Sequence, residues 1–443
     1  MTAHKHLKQL VRARMQKTGE SYSTARRHII RDDFATPSDP ALRHHFPGNI
    51  PASAALRVLL SVADVRAPHT GEPFTEAMAF GIAGGIGMGV FSFHYSKENF
   101  SSFFVAGRHR WADDEAYLIN ALKLFGIKPE IRETSASATA AKHLSEALDK
   151  HGPCVAWVDI GLLSHRGVPK WMAGMGYHIV PVYAVRPEQG IALIGDLADD
   201  PIEISLEDLA ASRDRIKKQK NRLLSVTEPG KEVNLPELVR KGLSACHEEL
   251  MNPTMKAARG NFQLGAIKTL AQRIHGSKDK ESWDNIFPRG GHLWTGLTSL
   301  YKYTEHYGSG GGLSRPLFAD FLREANKANA LDPSLVPLID KYVEIGRQWS
   351  ELADAALPND VPLMRDAKEL TAHRSELTLT GGSEDEVRAI WDRLDVLAAQ
   401  AKESFPLTEA ECSDLRADLK NRLVAIHDAE VAALNLIGGS IRH

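Results

Sequence analysis

The chain has 443 residues, more than one hydrophobic core usually organises, so two or three domains are expected. Hydrophobic residues at 43% and charged residues at 25% are ordinary globular values, and no uninterrupted apolar run reaches the roughly 18 residues of a membrane span. The formal net charge of −2 argues against a whole-protein nucleic-acid binder, and three scattered cysteines, Cys154, Cys246 and Cys412, offer neither a CxxC pair nor a disulfide framework.

Residues 1–40 read as a basic helical arm. Residues 1–45 hold nine Lys or Arg against four Asp or Glu, plus five histidines. Leu7, Leu10, Val11 and Met15 share a helical face, with Lys8, Arg12 and Arg14 off it. Such an arm suits a docking hairpin or a dimer contact, and a nucleic-acid or acidic-partner contact is the sharper alternative. No apolar stretch with a small-residue cleavage site follows the first residues, so the expected location is the cytoplasm.

Residues 41–225 alternate between helix and strand patterns. SAALRVLLSVADV, Ser53 to Val65, places Leu56, Leu59, Leu60 and Ala63 on one face, with Ser53 as its N-cap. FGIAGGIGMGVFSFHY is too glycine-rich for a helix interior and too apolar for a surface loop, so it should cross the core against other backbone. It is no dinucleotide fingerprint, because a helix pattern precedes it where a strand is needed. Trp111 to Phe125 reads as a helix, Lys128 to Glu133 as a strand, Ala138 to Lys150 as a helix and PCVAWVDI as a buried strand. HIVPVYAV and GIALIGD read as a hairpin, and Ser205 as the cap of LEDLAASRDRI.

Residues 226–443 lose all strand signals and read as a helical bundle: Leu235 to Leu250, Asn261 to Ile274, Leu293 to His306, Arg315 to Lys327, Val336 to Ala356, Glu384 to Glu403 and Leu407 to Leu436. GSGGG, at Gly308 to Gly312, and LTLTGGSEDE punctuate it. The last helix carries an apolar face, Leu423, Val424, Ile426 and Val431, that suits the bundle core or a homodimer.

Three patterns could carry chemistry. His178 opens the hairpin and Asp196 closes it, and adjacent antiparallel strands can set an imidazole beside a carboxylate that orients it. GSGGGLSRPLFADFL offers free backbone N–H groups of Gly310 and Gly311 to an anion, with Arg315 as a clamp. No metal or cofactor is expected: Asp113, Asp114 and Glu115 are adjacent on one helix and do not converge.

These segments also carry a resemblance. SAALRVLL, FGIAGGIGMGVFSF, PCVAWVDIGLLSH, the pair YHIVPVYAV and GIALIGDLADDP, and ISLEDLAASR resemble, in order and spacing, the N-terminal domain of the butirosin biosynthesis acyltransferase family. YTEHYGSGGGLSRPLFADFLREA resembles the GTGG-and-arginine signature of the uncharacterised helical domain that follows it in that family. The resemblance implies an α+β fold, a papain-like α/β domain followed by an all-α domain. It implies transfer of an acyl or aminoacyl group from a carrier-protein thioester to a small amine or peptide, with amide hydrolysis as the alternative chemistry. It places His178 and Asp196 on the family's histidine and acid; beside them, Asp159, Gly310, Gly311 and Arg315 are candidate substrate contacts.

One departure stands out. Where the family has a His-Cys pair before the Ala-Leu that matches Ala55-Leu56, this chain has Ile50-Pro51. Ser53 is the nearest hydroxyl and the remaining candidate nucleophile, but two residues on a helix swing a side chain by roughly 200°. Without it, the expectation becomes an inactive scaffold that binds a carrier-bound acyl group, a peptide or another protein.

Overall fold

Pro51 opens the first long helix, α1 (Pro51–Val62), because its fixed φ suits the first helical position and its missing N–H costs nothing there. The helix starts two residues earlier than its sequence pattern suggests. Ile50 is the N-cap and offers no side-chain acceptor. Glu76, on the next helix α2 (Glu76–Ile82), supplies it instead: its carboxylate accepts from the backbone N–H of Asn49 at 2.8 Å and of Ile50 at 2.9 Å. α1 is buried on nearly every side, as a helix apolar all round must be.

The structure, a computed structural model, describes residues 40–169, 172–174, 176–252 and 260–441. The helices expected in the basic arm, residues 1–39, lie outside the described residues.

The glycine-rich stretch divides in two. Its first part completes α2, and its second is strand β1 (Ile86–Tyr95), which pairs antiparallel with β2 (Phe100–Arg108). That hairpin was not expected from the sequence. Close approach explains the glycines: a Cβ at Gly81 or Gly85 would collide with the rings of Phe321 and Phe318, and one at Gly87 with the Arg108 carbonyl.

After α3 (Asp114–Leu124) the chain builds one antiparallel sheet from β3 (Pro129–Arg132), β4 (Cys154–Asp159), β5 (Tyr177–Arg186), β6 (Ile191–Ile194), β7 (Ile202–Ser205) and β8 (Leu223–Val226), in the order β3-β8-β4-β5-β6-β7. Helices α4 (Ser137–His151) and α5 (Leu206–Arg215) accompany it, and Ser205 caps α5 by accepting from Asp208 N–H. Along β4, Val155 and Trp157 join the main core while Cys154, Ala156 and Val158 join a second core with Leu144 of α4 and Leu209 of α5. That alternation is the period of a strand buried on both faces.

The remainder is helical: α6 (Leu235–Met251), α7 (Gln263–Ile274), α8 (Trp283–Ile286), α9 (Gly291–Glu305), α10 (Arg315–Lys327), α11 (Leu338–Ala356), α12 (Pro362–Thr380), α13 (Glu384–Glu403) and α14 (Glu409–Ile441). The fold is thus α+β, a mixed N-terminal region followed by an all-helical one. α12 was missed in the sequence because its apolar stripe is weak; its C-terminus is set by Gly381 at φ 78° and followed by a Ser383–Glu386 capping box. Leu423 and Ile426 of α14 face the core. The main core runs without interruption from Ile50 and Phe80 through Phe103 to Phe318, Trp349 and Ile437.

Candidate functional site

Asp196 leaves the end of β6 and is 3% exposed. His178 Nε2 lies 2.8 Å from its Oδ1. Two further partners come from the turn between β4 and β5: His165 Nε2 at 2.7 Å from Oδ2, and the Arg166 guanidinium, which donates to both oxygens, through Nε to Oδ2 at 2.6 Å. These partners hold the Asp196 carboxyl well below the usual carboxylate range against the opposing effect of burial, Arg166 first among them. Burial pulls the His165 imidazole below its ordinary value. The carboxylate is therefore a hub with two imidazoles and a guanidinium, and sequence spacing missed His165 and Arg166 because they lie on a turn about 30 residues upstream.

The faces of β5 decide what His178 can do. Ile179, Pro181 and Tyr183 line a small cleft against Phe46, Pro51, Ala54 and Val58, closed at its end by Gly195, Asp196 and Leu197. Val180 and Val182, the alternate residues, belong to the second core on the other side. The β4–β5 register is unbroken from Asp159↔Tyr177 to Cys154↔Val182, and it sets His178 opposite Val158, which also lies in that second core. By strand parity His178 falls with Val180 and Val182, while its imidazole bonds Asp196, which lines the cleft beside Pro51. The cleft itself has room for about one water molecule, at about 10 Å3.

Ser53 is fully buried and lies in the first turn of α1, not at its cap. Its hydroxyl is 2.8 Å from Glu76 Oε1 and 3.2 Å from the Ile50 carbonyl. Pro51, Ala54 and Val58 line the cleft instead, and Ser53 points to the Glu76 side of the helix. The structure does not bring Ser53 together with His178. The thiols offer no substitute: all three are buried and free, and burial pushes Cys154 up to about 12.

Asp159, expected to contact substrate, is fully buried and closes its own loop. Its Oδ1 accepts from Gly161 N–H at 3.0 Å and its Oδ2 from Gly174 N–H, while Ser212 holds its backbone. Arg315 is fully buried too. Its Nε lies 2.6 Å from Glu430 Oε1, and its Nη1 donates to the carbonyls of Leu313 at 2.7 Å, Gly87 at 3.2 Å and Gly107 at 3.3 Å.

The glycine loop shares this construction. Gly308, Gly310, Gly311 and Gly312 all have positive φ, and a Cβ at Gly312 would press on the Gly346 carbonyl. The N–H of Gly312 donates to Glu305 Oε1 at 3.2 Å, so a carboxylate of the chain itself occupies the anion seat the loop provides. Gly310 packs on Asn49, just ahead of α1. Arg315 thus ties the start of β1 and the end of β2 to α14, while Gly310 lies against Asn49 and Gly311 near Glu305. Among the described residues no group of three metal-ligating side chains converges, and no helix is long and apolar enough to cross a membrane.

Residues 51–197 match the family model described as butirosin biosynthesis protein H, N-terminal, and residues 205–390 match the domain of unknown function DUF4872. No curated protein matches the chain. The first match covers α1, the hairpin and the sheet as far as Asp196, and the second begins at α5 and takes in the glycine loop with Arg315. The chain thus carries a segment that matches the butirosin biosynthesis protein H N-terminal domain, followed by a segment that matches DUF4872.

Proposed function

We propose that this chain is a non-covalent binding scaffold of the butirosin acyltransferase type, which holds an acyl-bearing or amine-bearing molecule without forming an acyl-enzyme. One observation carries the reading: the single hydroxyl in the first turns of α1 before Ser61, that of Ser53, is fully buried and hydrogen-bonded to Glu76 and to the Ile50 carbonyl, and it is Pro51 that lines the cleft beside Asp196. Acyl transfer through a covalent intermediate needs a nucleophile within hydrogen-bond reach of its base. An acyl-carrier protein is the partner that suits a thioester donor for such a scaffold, in a biosynthetic or modification pathway.

A second reading is favoured by the 2.8 Å contact between His178 and Asp196, which prepares the imidazole to take a proton from an amine that attacks a thioester directly. One assay separates the two. The full chain is incubated with an acyl N-acetylcysteamine thioester and a primary amine, and intact mass and amide formation are followed. Binding alone predicts an unchanged protein mass and amide formation at the background rate. Amide formation without an adduct, lost in His178→Asn, supports direct transfer, and an adduct on Ser53 overturns both.

A further inference from the structure

The helical region holds a cluster that is rich in donors and poor in acceptors. Arg374 of α12 is 5% exposed, and its Nη1 is buried without a hydrogen-bond partner. Its Cζ lies 4.0 Å from the ring centre of Trp391 on α13 and 5.0 Å from that of Tyr307. The Trp391 Nε1 is likewise buried without a partner. Lys302 of α9 completes the group, with its Nζ 5.4 Å from the Tyr307 ring and 4.7 Å from the Tyr303 ring.

Guanidinium, ammonium and indole N–H can only donate. Among the described residues no carboxylate pairs with the side chain of Arg374 or Lys302. Aromatic faces recover part of the cost of burying a cation, but they offer no lone pairs to the orphaned donors. The charges reinforce one another: burial and Arg374 together pull Lys302 down to about 8. The missing component is a compact group with negative charge and several acceptor oxygens.

We propose that Arg374, Lys302 and Trp391 form an oxyanion-binding site that takes a phosphate or carboxylate group. A planar guanidinium fork recognises either. Lys302, Tyr303, Tyr307 and Trp391 are half-buried, so the edge of the cluster reaches solvent while the Arg374 Nη1 and Trp391 Nε1 donors lie beneath it. It adjoins the Asp196 hub: Gly167, next to Arg166, packs directly on Val387 and Arg388 of α13. The site stands independently of the scaffold role proposed above.

The test is thermal melting of the full chain against sodium phosphate, sodium acetate and sodium chloride at matched ionic strength. A saturable rise in Tm with phosphate or acetate, absent with chloride, is expected, and the anion that acts identifies the group. Arg374→Leu and Lys302→Met should each move the midpoint of that response at least tenfold higher, whereas Arg347→Ala, on the exposed face of α11, should leave it unchanged. Lys302→Met provides the readout if Arg374→Leu fails to fold. An equal response in wild type and variants, or no response beyond that of chloride, overturns the proposal.

Discussion

His165 and His178 take opposite oxygens of one carboxylate, Asp196 Oδ2 at 2.7 Å and Oδ1 at 2.8 Å, and Arg166 spans both. Asn at position 196 would leave the Arg166 guanidinium buried with no charge partner. Asp196→Asn should therefore lower stability by about 3–5 kcal/mol, read from urea unfolding at pH 7. Because the folded carboxyl titrates well below its ordinary value, its contribution is present above the unfolded carboxyl's range and fades only as the pH falls through the folded one. A loss under 1 kcal/mol would mean that the hub is solvated.

Acid should weaken the fold through its histidines. Burial lowers His45, His165 and His306, the last to about 3 with Arg374 adding to the effect. In the unfolded chain each takes a proton below about pH 6.5 and in the fold each binds its proton less readily, so their contribution is complete above that pH and declines as the pH drops towards the folded values, most fully for His306. Between pH 6.5 and pH 5 the expected decline is roughly 1 kcal/mol per pH unit from His306, with His45 and His165 acting in the same direction. Denaturant midpoints measured across this range check it, and a flat profile contradicts it.

Ser53 is expected to matter for stability and not for chemistry. Ser53→Ala removes one of several donors to the buried Glu76 carboxylate and should cost about 1–2 kcal/mol in urea unfolding, with binding of an acyl thioester unchanged.

Restoring a cysteine should not restore an acyl-enzyme. In Pro51→Cys the thiol would face Ile179, Pro181 and Asp196 across a cleft with room for about one water molecule, too little for an acyl group. Intact mass after incubation with an acyl thioester is expected to show no adduct on the introduced thiol; its rapid acylation would show that the cleft admits an acyl group.

The Arg315–Glu430 pair is a sharp probe of the tie between the β1–β2 hairpin and α14. Arg315→Leu strands a fully buried carboxylate and should cost about 3–5 kcal/mol, and the double change Arg315→Leu with Glu430→Leu should regain most of it. Melting temperatures of the three proteins decide between this and an additive loss.

Much of the architecture was legible in the sequence, since β4, β5, β6, the cap at Ser205 and most of the helices follow directly from period and capping. The resemblance also carried real information, because two family models cover the segments it named. Side-chain direction was the gap. A histidine and an acid on neighbouring strands are visible in letters, but the register that sets His178 opposite Val158 is not, and a single-residue step in it would move the side chain to the other face. Arg315 misled for a related reason: an arginine after a glycine loop reads as a clamp for an anion, and its actual partner, Glu430, stands 115 residues later. His165 and Arg166 lacked any local pattern to mark them.

The unbroken core gives this chain no seam along which it could be cut. Phe318 and Phe321 of α10 fit against Gly85 and Gly81, so the bulk on one side of the join exists only because the other side has none. A gene divided near residue 204 would yield one product with Phe80, Phe103 and Val105 stripped of cover and another with Phe318 and Phe321 bare. Neither piece is expected to fold when expressed alone. Any drift in size at one of these aromatics has to be answered at its glycine, so the two halves are bound to evolve in step.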